Sequence, residues 1–300
     1  MASKTSPPKK SRTASNRTSS TLSKLLIVVV AAIAVYFFNQ YFNPAAVAEG
    51  TADFHFIDVG QGDSALIMTD AGNILIDAGP ASASELLNAY LDKCGVTQLE
   101  YIIFTHPHED HIGSAAAVVR SRTVKNVIMP DMEYDTKTYE RLLDALEEHP
   151  ETNVIPAVSG AVYTLGDLSF QLLAPNSASY SSTNDYSVVA KFTFGAISFL
   201  FTGDAEVYSE NEILDKYGAY ALRSTVLKVG HHGSSTSTGQ AFLNAVSPKV
   251  AVISCAQGND YGHPHAETLD KLNVLSITLH RTDLEGTIVL TTDGSTLKVK

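Results

Sequence analysis

The chain is poor in cysteine, in basic residues and in long apolar runs. Its two cysteines, Cys94 and Cys255, have no Cys-x-x-Cys partners. That excludes a zinc ribbon or dithiol motif, and two such distant residues leave one pairing open without building a disulfide framework. Lysine and arginine number 21 against 32 acids, for a net charge of −11. Lys4, Lys9, Lys10, Arg12, Arg17 and Lys24 stand in residues 1–48, which hold no acid, so the rest of the chain carries −17. Such a domain repels nucleic acid over most of its surface, which counts against a broad basic binding face. It does not exclude a local site where a metal supplies the positive charge. No internal repeat is visible, and 44% apolar residues is ordinary for a soluble core.

A single apolar run, 25–42, is long enough to cross a bilayer as a helix. It follows a Ser, Thr, Lys and Pro rich tail, 1–24, that reads as disordered. Tyr36, Phe37, Phe38, Tyr41 and Phe42 crowd its far end, as aromatics do at a membrane interface. Basic residues lie only on the near side, which predicts an N-in, C-out orientation. Two readings stay open: an uncleaved signal anchor, or a signal peptide cut after Ala46-Val47-Ala48. The long gap 39–48 before that site favours the anchor. The first reading predicts a membrane-tethered domain outside the cytoplasm, the second a secreted one.

After a linker, 43–51, residues 52–300 read as one domain without a composition break. Short apolar, branched or aromatic runs predict strands at 54–59, 65–68, 73–76, 101–104, 126–129, 168–173, 187–194, 196–202, 226–229 and 250–254. Helical periodicity falls at 82–91, with Ser84 as candidate cap, and near 113–120, 138–148, 205–217 and 237–246. Two strand-rich halves with interleaved helices predict an α+β fold, sheet on sheet with helices outside.

The most informative stretch is Thr105-His106-Pro107-His108-Glu109-Asp110-His111, directly after an apolar strand. A loop leaving a rigid strand end aims several side chains at one point. Imidazole and carboxylate are ligands of zinc, manganese and neighbouring divalent metals. Further polar residues stand at other strand ends: Asp77, Asp204, His231, His232 and His263. Seven of the ten histidines, 106, 108, 111, 231, 232, 263 and 265, fall in three such loops. A common metal centre accounts for that concentration; scatter over a surface does not.

On these residues the chain resembles the metallo-β-lactamase superfamily, whose signature is His-x-His-x-Asp-His. More closely it resembles the hydrolase domain of ComEC-type competence DNA-uptake proteins. The matching runs are Ile57-Asp58-Val59-Gly60-Gln61-Gly62-Asp63-Ser64, Leu75-Ile76-Asp77-Ala78-Gly79, Thr105 to His111, Phe201-Thr202-Gly203-Asp204, His231-His232-Gly233-Ser234 and Tyr261-Gly262-His263-Pro264. The resemblance implies an αβ/βα four-layer sandwich, preceded here by one membrane-spanning or signal helix. It implies one or two divalent ions, zinc or manganese, held by His106, His108, His111, Asp110, Asp204 and His263, with Asp204 bridging. Asp77 is implied as an outer partner of a ligand histidine.

One departure stands out. The superfamily commonly has a further histidine between the His loop and the bridging Asp, where this chain has only His149. His149 ends a charged helix and reads as surface; Asn184, before Asp185, is the better positional candidate. A divalent ion activates water and polarises a phosphoryl oxygen. Asp110 is the candidate to orient that water or take its proton, His231 or His232 to bind a phosphate or protonate the leaving group, and Ser234 with Ser235 to donate to the same anion. Asp58 and Asp63 read as loop-shaping residues. The leading expectation is an exported phosphodiesterase or nuclease acting on external DNA. The alternatives are a hydrolase of another phosphoester or of a lactam or lactone ring, and a non-catalytic membrane-tethered binding module.

Overall fold

A computed structural model describes residues 1–2 and 47–300. Residues 3–24 of the tail, the segment 25–42 and residues 43–46 of the linker lie outside the described residues. Among the described residues no helix is long and apolar enough to cross a membrane.

The chain first lays down β1 (Ala52–Phe56), β2 (Ala65–Thr69), β3 (Gly72–Ile76), β4 (Gln98–Ile103), β5 (Thr123–Met129) and β6 (Asn153–Pro156). It then builds β7 (Val162–Leu165), β8 (Leu168–Leu172), β9 (Ala190–Phe194), β10 (Ile197–Phe201), β11 (Val226–Lys228), β12 (Val250–Ile253) and β13 (Thr278–Arg281). β14 (Ile288–Thr292) and β15 (Leu297–Val299) return to the first sheet. Its order is β15-β14-β1-β2-β3-β4-β5-β6; the second runs β13-β12-β11-β10-β9-β8-β7.

Three apolar layers hold the two sheets and their helices together. Between the sheets, inward residues of β1 meet those of β9 and β10: Phe54 stacks on Phe199 at 3.6 Å, and Phe56 on Phe201 at 5.5 Å. Outside the first sheet pack the helices Ser84–Lys93, Ala115–Ser121 and Lys137–Glu147, through Leu87, Leu91, Val118, Leu142 and Leu146. Outside the second pack Val207–Leu222, Gln240–Val246 and Ala266–Val274, through Ile213, Leu222, Phe242, Leu243 and Leu272. Helix, sheet, sheet, helix is the expected four-layer order. Alternation along each strand sets it, because odd and even residues face different layers.

The local differences have local causes. The helix expected at 113–120 is preceded by a turn, Glu109–Ile112, that begins inside the His loop. Ser84 caps nothing: it is the first helical residue, and Ala83 before it offers no side-chain oxygen. The strand expected from residue 187 starts at Ala190, because Thr183–Tyr186 forms a 3-10 turn. The edge strands β6 and β7 were not legible in the apolar pattern, because much of each faces solvent. Cys94 and Cys255 are both free thiols; the first is half-buried beside one outer helix layer, the second buried in the other.

β3, β4 and β5 run parallel, as do β10, β11 and β12. Parallel strands deliver their C-terminal ends to one edge, where ligands of open α/β sheets gather.

Candidate metal centre

Each polar loop named above leaves one of these parallel strand ends. Asp77 follows β3, the His loop follows β4, Asp204 follows β10 and the His231-His232 turn follows β11. The turns interlock through backbone bonds: Ala78 N donates to His111 O (2.7 Å), Asp63 N to Asp110 O (3.1 Å) and His231 N to Gly203 O (3.0 Å). A Cβ at Gly62 would lie 2.3 Å from Asp110 O, so only glycine lets that loop close on the His loop. Asp77, His231 and His232 have φ of 56°, 49° and 53°. Non-glycine residues rarely adopt that left-handed region, and each such residue costs about 1–3 kcal/mol unless its surroundings impose it.

Asp204 is the focus. It is 1% exposed, and imidazole nitrogens approach both its oxygens. His111 Nε2 lies 3.3 Å from Oδ1; His106, His231 and His232 present Nε2 to Oδ2 at 3.8, 3.6 and 3.6 Å. In each ring the other nitrogen is occupied. His106 Nδ1 meets Thr105 Oγ1 (3.1 Å), His111 Nδ1 meets Asp77 Oδ2 (2.8 Å), His231 Nδ1 meets Thr236 Oγ1 (3.1 Å) and His232 Nδ1 meets Ser254 O (3.0 Å). Asp77 and Ser254 O accept, so the Nδ1 of His111 and of His232 carries the proton and Nε2 offers its lone pair. His108 Nδ1 comes within 2.9 Å of His106 Nε2, and Asp110 Oδ2 within 3.1 Å of His232 Nε2.

Asp110, His111, Asp204 and His232 place one ligand atom each within 4.8 Å of one another. His111 Nε2 and Asp204 Oδ1 are buried without a hydrogen-bond partner. Buried polar atoms are almost always satisfied. An unpartnered imidazole nitrogen facing an unpartnered carboxylate oxygen fits a divalent cation between hard and borderline donors.

The charges reinforce this. Burial works against protonation of His111 and His232, but the carboxylates around them win. Asp204, Asp77 and Asp110 raise His111 well above the usual imidazole value, and Asp204, Asp63 and Asp110 raise His232 to about 10. Burial pushes Asp77 upward, against the opposing pull of His111. Burial opposes ionisation of Asp204 and Asp110, yet His111 and His232 hold both carboxyls below the ordinary range. His106 and His108, where burial dominates, are lowered and stay neutral. Asp204 and Asp110 are held ionised by protons drawn onto two buried histidines, and a divalent cation held by these residues would supply that positive charge instead.

The expected residues do not all converge. His232, not His263, stands beside Asp110, His111 and Asp204. His263 lines the same pocket farther out, its ring 6.2 Å from that of His232 and 5.4 Å from that of His231. The left-handed pair at 231–232 turns the ring of His231 toward the pocket and that of His232 inward. Ser234 does not reach the pocket: it is 3% exposed, and its hydroxyl engages Thr236 at 3.1 Å. Ser235 Oγ meets His265 Nδ1 at 3.1 Å. Asn184 lines the pocket and donates to Glu206 Oε1 (3.1 Å), which lies 3.8 Å from His231 Nδ1. His149 pairs with Glu151 on the surface.

Other residues were missed. Asp63 reaches His232 Nδ1 at 3.2 Å and is paired with buried Lys228 at 2.7 Å. Thr105 donates both its N–H and its hydroxyl to Asp77 at 2.7 Å, and Ser187 Oγ accepts from Asp204 N at 3.0 Å. A lysine inside the apolar run Val226-Leu227-Lys228-Val229 was the one available signal. The site opens into a pocket of about 460 Å³, whose wall includes Gln61, Tyr134, Thr136 and Tyr261 and, among the described residues, no lysine or arginine.

Residues 57–257 match the metallo-beta-lactamase superfamily. The chain belongs to that superfamily, a class of metal-dependent hydrolases. Among curated proteins it is 36% identical over 264 residues to ComE operon protein 3 of Bacillus subtilis, covering 82% of this chain and 33% of that protein. It is 31% identical over 248 residues to competence protein ComA of Neisseria gonorrhoeae, again covering 82% and 33%. The chain thus spans about a third of the length of these relatives. The metallo-beta-lactamase fold protein YhfI of Bacillus subtilis superposes with a TM-score of 0.54 at 12% identity, over 80% of this chain and 99% of that one, a likeness of fold.

Proposed function

We propose that this chain is a divalent-metal-dependent phosphodiesterase acting on DNA outside the cytoplasm, tethered through 25–42. The observation that carries the metal part is the orientation of His106, His111, His231 and His232, each with Nε2 toward Asp204 and Nδ1 occupied. Similarity to competence proteins supports DNA as the substrate. A bound divalent ion supplies Lewis acidity and an activated water. His106, His108, His111, His232, Asp110 and Asp204 are the residues that would hold it; zinc and manganese both suit this donor set.

The remaining chemistry belongs to the chain. Asp110, ionised and facing the pocket, orients the attacking water and takes its proton. His231, partly exposed with Nδ1 tied to Thr236 and Nε2 at the pocket wall beside Asp204, would protonate the leaving oxygen of a phosphate bound there. His263 and Tyr261 form the outer wall. The test is cleavage of plasmid and single-stranded DNA by the purified protein with manganese or zinc, beside His108→Ala and Asp110→Ala. Metal-dependent cleavage lost in both variants supports the reading; metal-loaded wild type that leaves DNA intact refutes it.

A second reading, hydrolysis of a smaller phosphoester, is favoured by one observation. Among the described residues the pocket wall holds no lysine or arginine, and the adjoining groove carries Glu133, Asp135, Glu140, Asp144 and Glu147 against the single Lys137. A polyanion is repelled there. Turnover of a chromogenic phosphodiester, but not of DNA or a chromogenic lactam, selects this alternative.

A further inference from the structure

We propose that Asp63 and Lys228 are positioning residues that act on the metal centre through His232; this rests on reading the cluster as a metal centre. Lys228 ends β11, directly before the turn that carries His231 and His232. Its Nζ lies 2.7 Å from Asp63 Oδ2 and donates to Val229 O at 3.1 Å. The two side chains are 4% and 8% exposed. Asp63 Oδ1 has no hydrogen-bond partner and stands 3.2 Å from His232 Nδ1.

The backbone of Asp63 is gripped as well. Its N–H donates to Asp110 O at 3.1 Å, and its carbonyl accepts from Gly79 N at 2.8 Å. One residue thus touches the loop bearing Asp110, the turn after Asp77 and the ring of His232. Because Asp63 precedes β2 and Lys228 ends β11, the pair also joins the two sheets directly behind the site.

A buried ion pair is a weak device for stability, since desolvation offsets much of its attraction. Its placement gives it another use. His111 has the carboxylate of Asp77 behind its Nδ1; His232 has that of Asp63 behind its own. Ser254 O already fixes the tautomer of His232. An anion adds what a carbonyl lacks, because negative charge behind Nδ1–H strengthens Nε2 as a donor. Lys228, 2.7 Å from the other oxygen of Asp63, holds that carboxylate in place. A small cavity of about 10 Å³, lined by Asp63, Asp77, Thr105, Lys228 and Ser254, has room for about one water, and side chains only 4% and 8% exposed are little screened by bulk solvent.

The test is calorimetric titration of Mn²⁺ into the purified full chain, for wild type, Asp63→Asn, Lys228→Met, Lys228→Arg and the double variant Asp63→Asn/Lys228→Met. Melting of each metal-free protein and the visible spectrum of each Co²⁺ form are recorded beside it. The double variant is electrically balanced, so it decides the matter even if a single variant fails to fold. Expected is a double variant that melts close to wild type, binds Mn²⁺ about 10-fold or more weakly and shows a displaced Co²⁺ spectrum. Lys228→Arg recovers affinity that Lys228→Met loses. A double variant with wild-type affinity and spectrum overturns the proposal, since the pair then only neutralises charge. Wild type that takes up neither Mn²⁺ nor, in a parallel titration, Zn²⁺ overturns the metal-centre reading and this proposal with it.

Discussion

Asp77→Asn separates metal affinity from fold at one buried atom. Asp77 is 0% exposed and accepts three hydrogen bonds, from Thr105 N and Thr105 Oγ1 at 2.7 Å and from His111 Nδ1 at 2.8 Å. Asparagine has the same shape and tolerates the left-handed φ of 56° at this position. Its oxygen keeps the bond from Thr105 N. Its amide nitrogen replaces the oxygen that faces His111, turning an acceptor into a donor. His111 must then accept at Nδ1, which moves its proton to Nε2, the nitrogen 3.3 Å from Asp204. Loss of such an outer partner weakens metal binding about 10–100-fold, or roughly 1.4–2.7 kcal/mol. The metal-free fold responds less, because the variant loses charge-assisted bonds and also sheds a buried charge, and these effects oppose. Titration calorimetry with Mn²⁺ reads the affinity, and long-range ¹⁵N correlation of the imidazoles reads the tautomer. Wild-type affinity together with a proton on His111 Nε2 refutes the reasoning.

Three further outcomes are expected. His232→Ala abolishes metal uptake, or weakens it by more than the ~100-fold that loss of an outer partner costs, whereas His263→Ala changes it little; the reverse ranking in a metal titration contradicts the assignment. Burial raises Glu210 to about 7, against its bonds from Gly239 N and Thr238 N. A raised carboxyl favours the folded state fully only below the unfolded value near 4.5, and that contribution is lost as pH rises through about 7. The span is worth roughly 3 kcal/mol, and in urea melts across this range Glu210→Gln removes the slope; a slope that persists assigns it elsewhere. Phe54→Ala opens the stack with Phe199 between the sheets and costs about 3–5 kcal/mol in chemical denaturation; a loss below about 1 kcal/mol means the sheets close over the gap.

The candidate site was legible in the sequence where its residues share one loop. His106, His108, Asp110 and His111 sit within six positions after one strand, so any folded form of that strand end brings them together. Asp77 and Asp204 were legible as polar residues ending apolar runs. The choice between His232 and His263 was not, because both end neighbouring parallel strands and carry the same side chain. Ser234 likewise has a donor's chemistry, and only its burial against Thr236 removes it from the pocket. Asp63 read as a turn residue because its partners, Lys228 and His232, come from the other sheet.

The sequence by itself determined the layers and the chemistry. Apolar periodicity assigns each strand and helix a buried face, and local spacing concentrates metal-ligating residues at strand ends. Tertiary structure alone decided which ring nitrogen faces Asp204, which histidine turns inward, and which carboxylate stands behind it. Those choices depend on left-handed turns and on contacts between sheets, where residues distant in the chain come within 3 Å or so of one another. Periodicity carries no information about such contacts, because it reports which face is buried and not what lies against it.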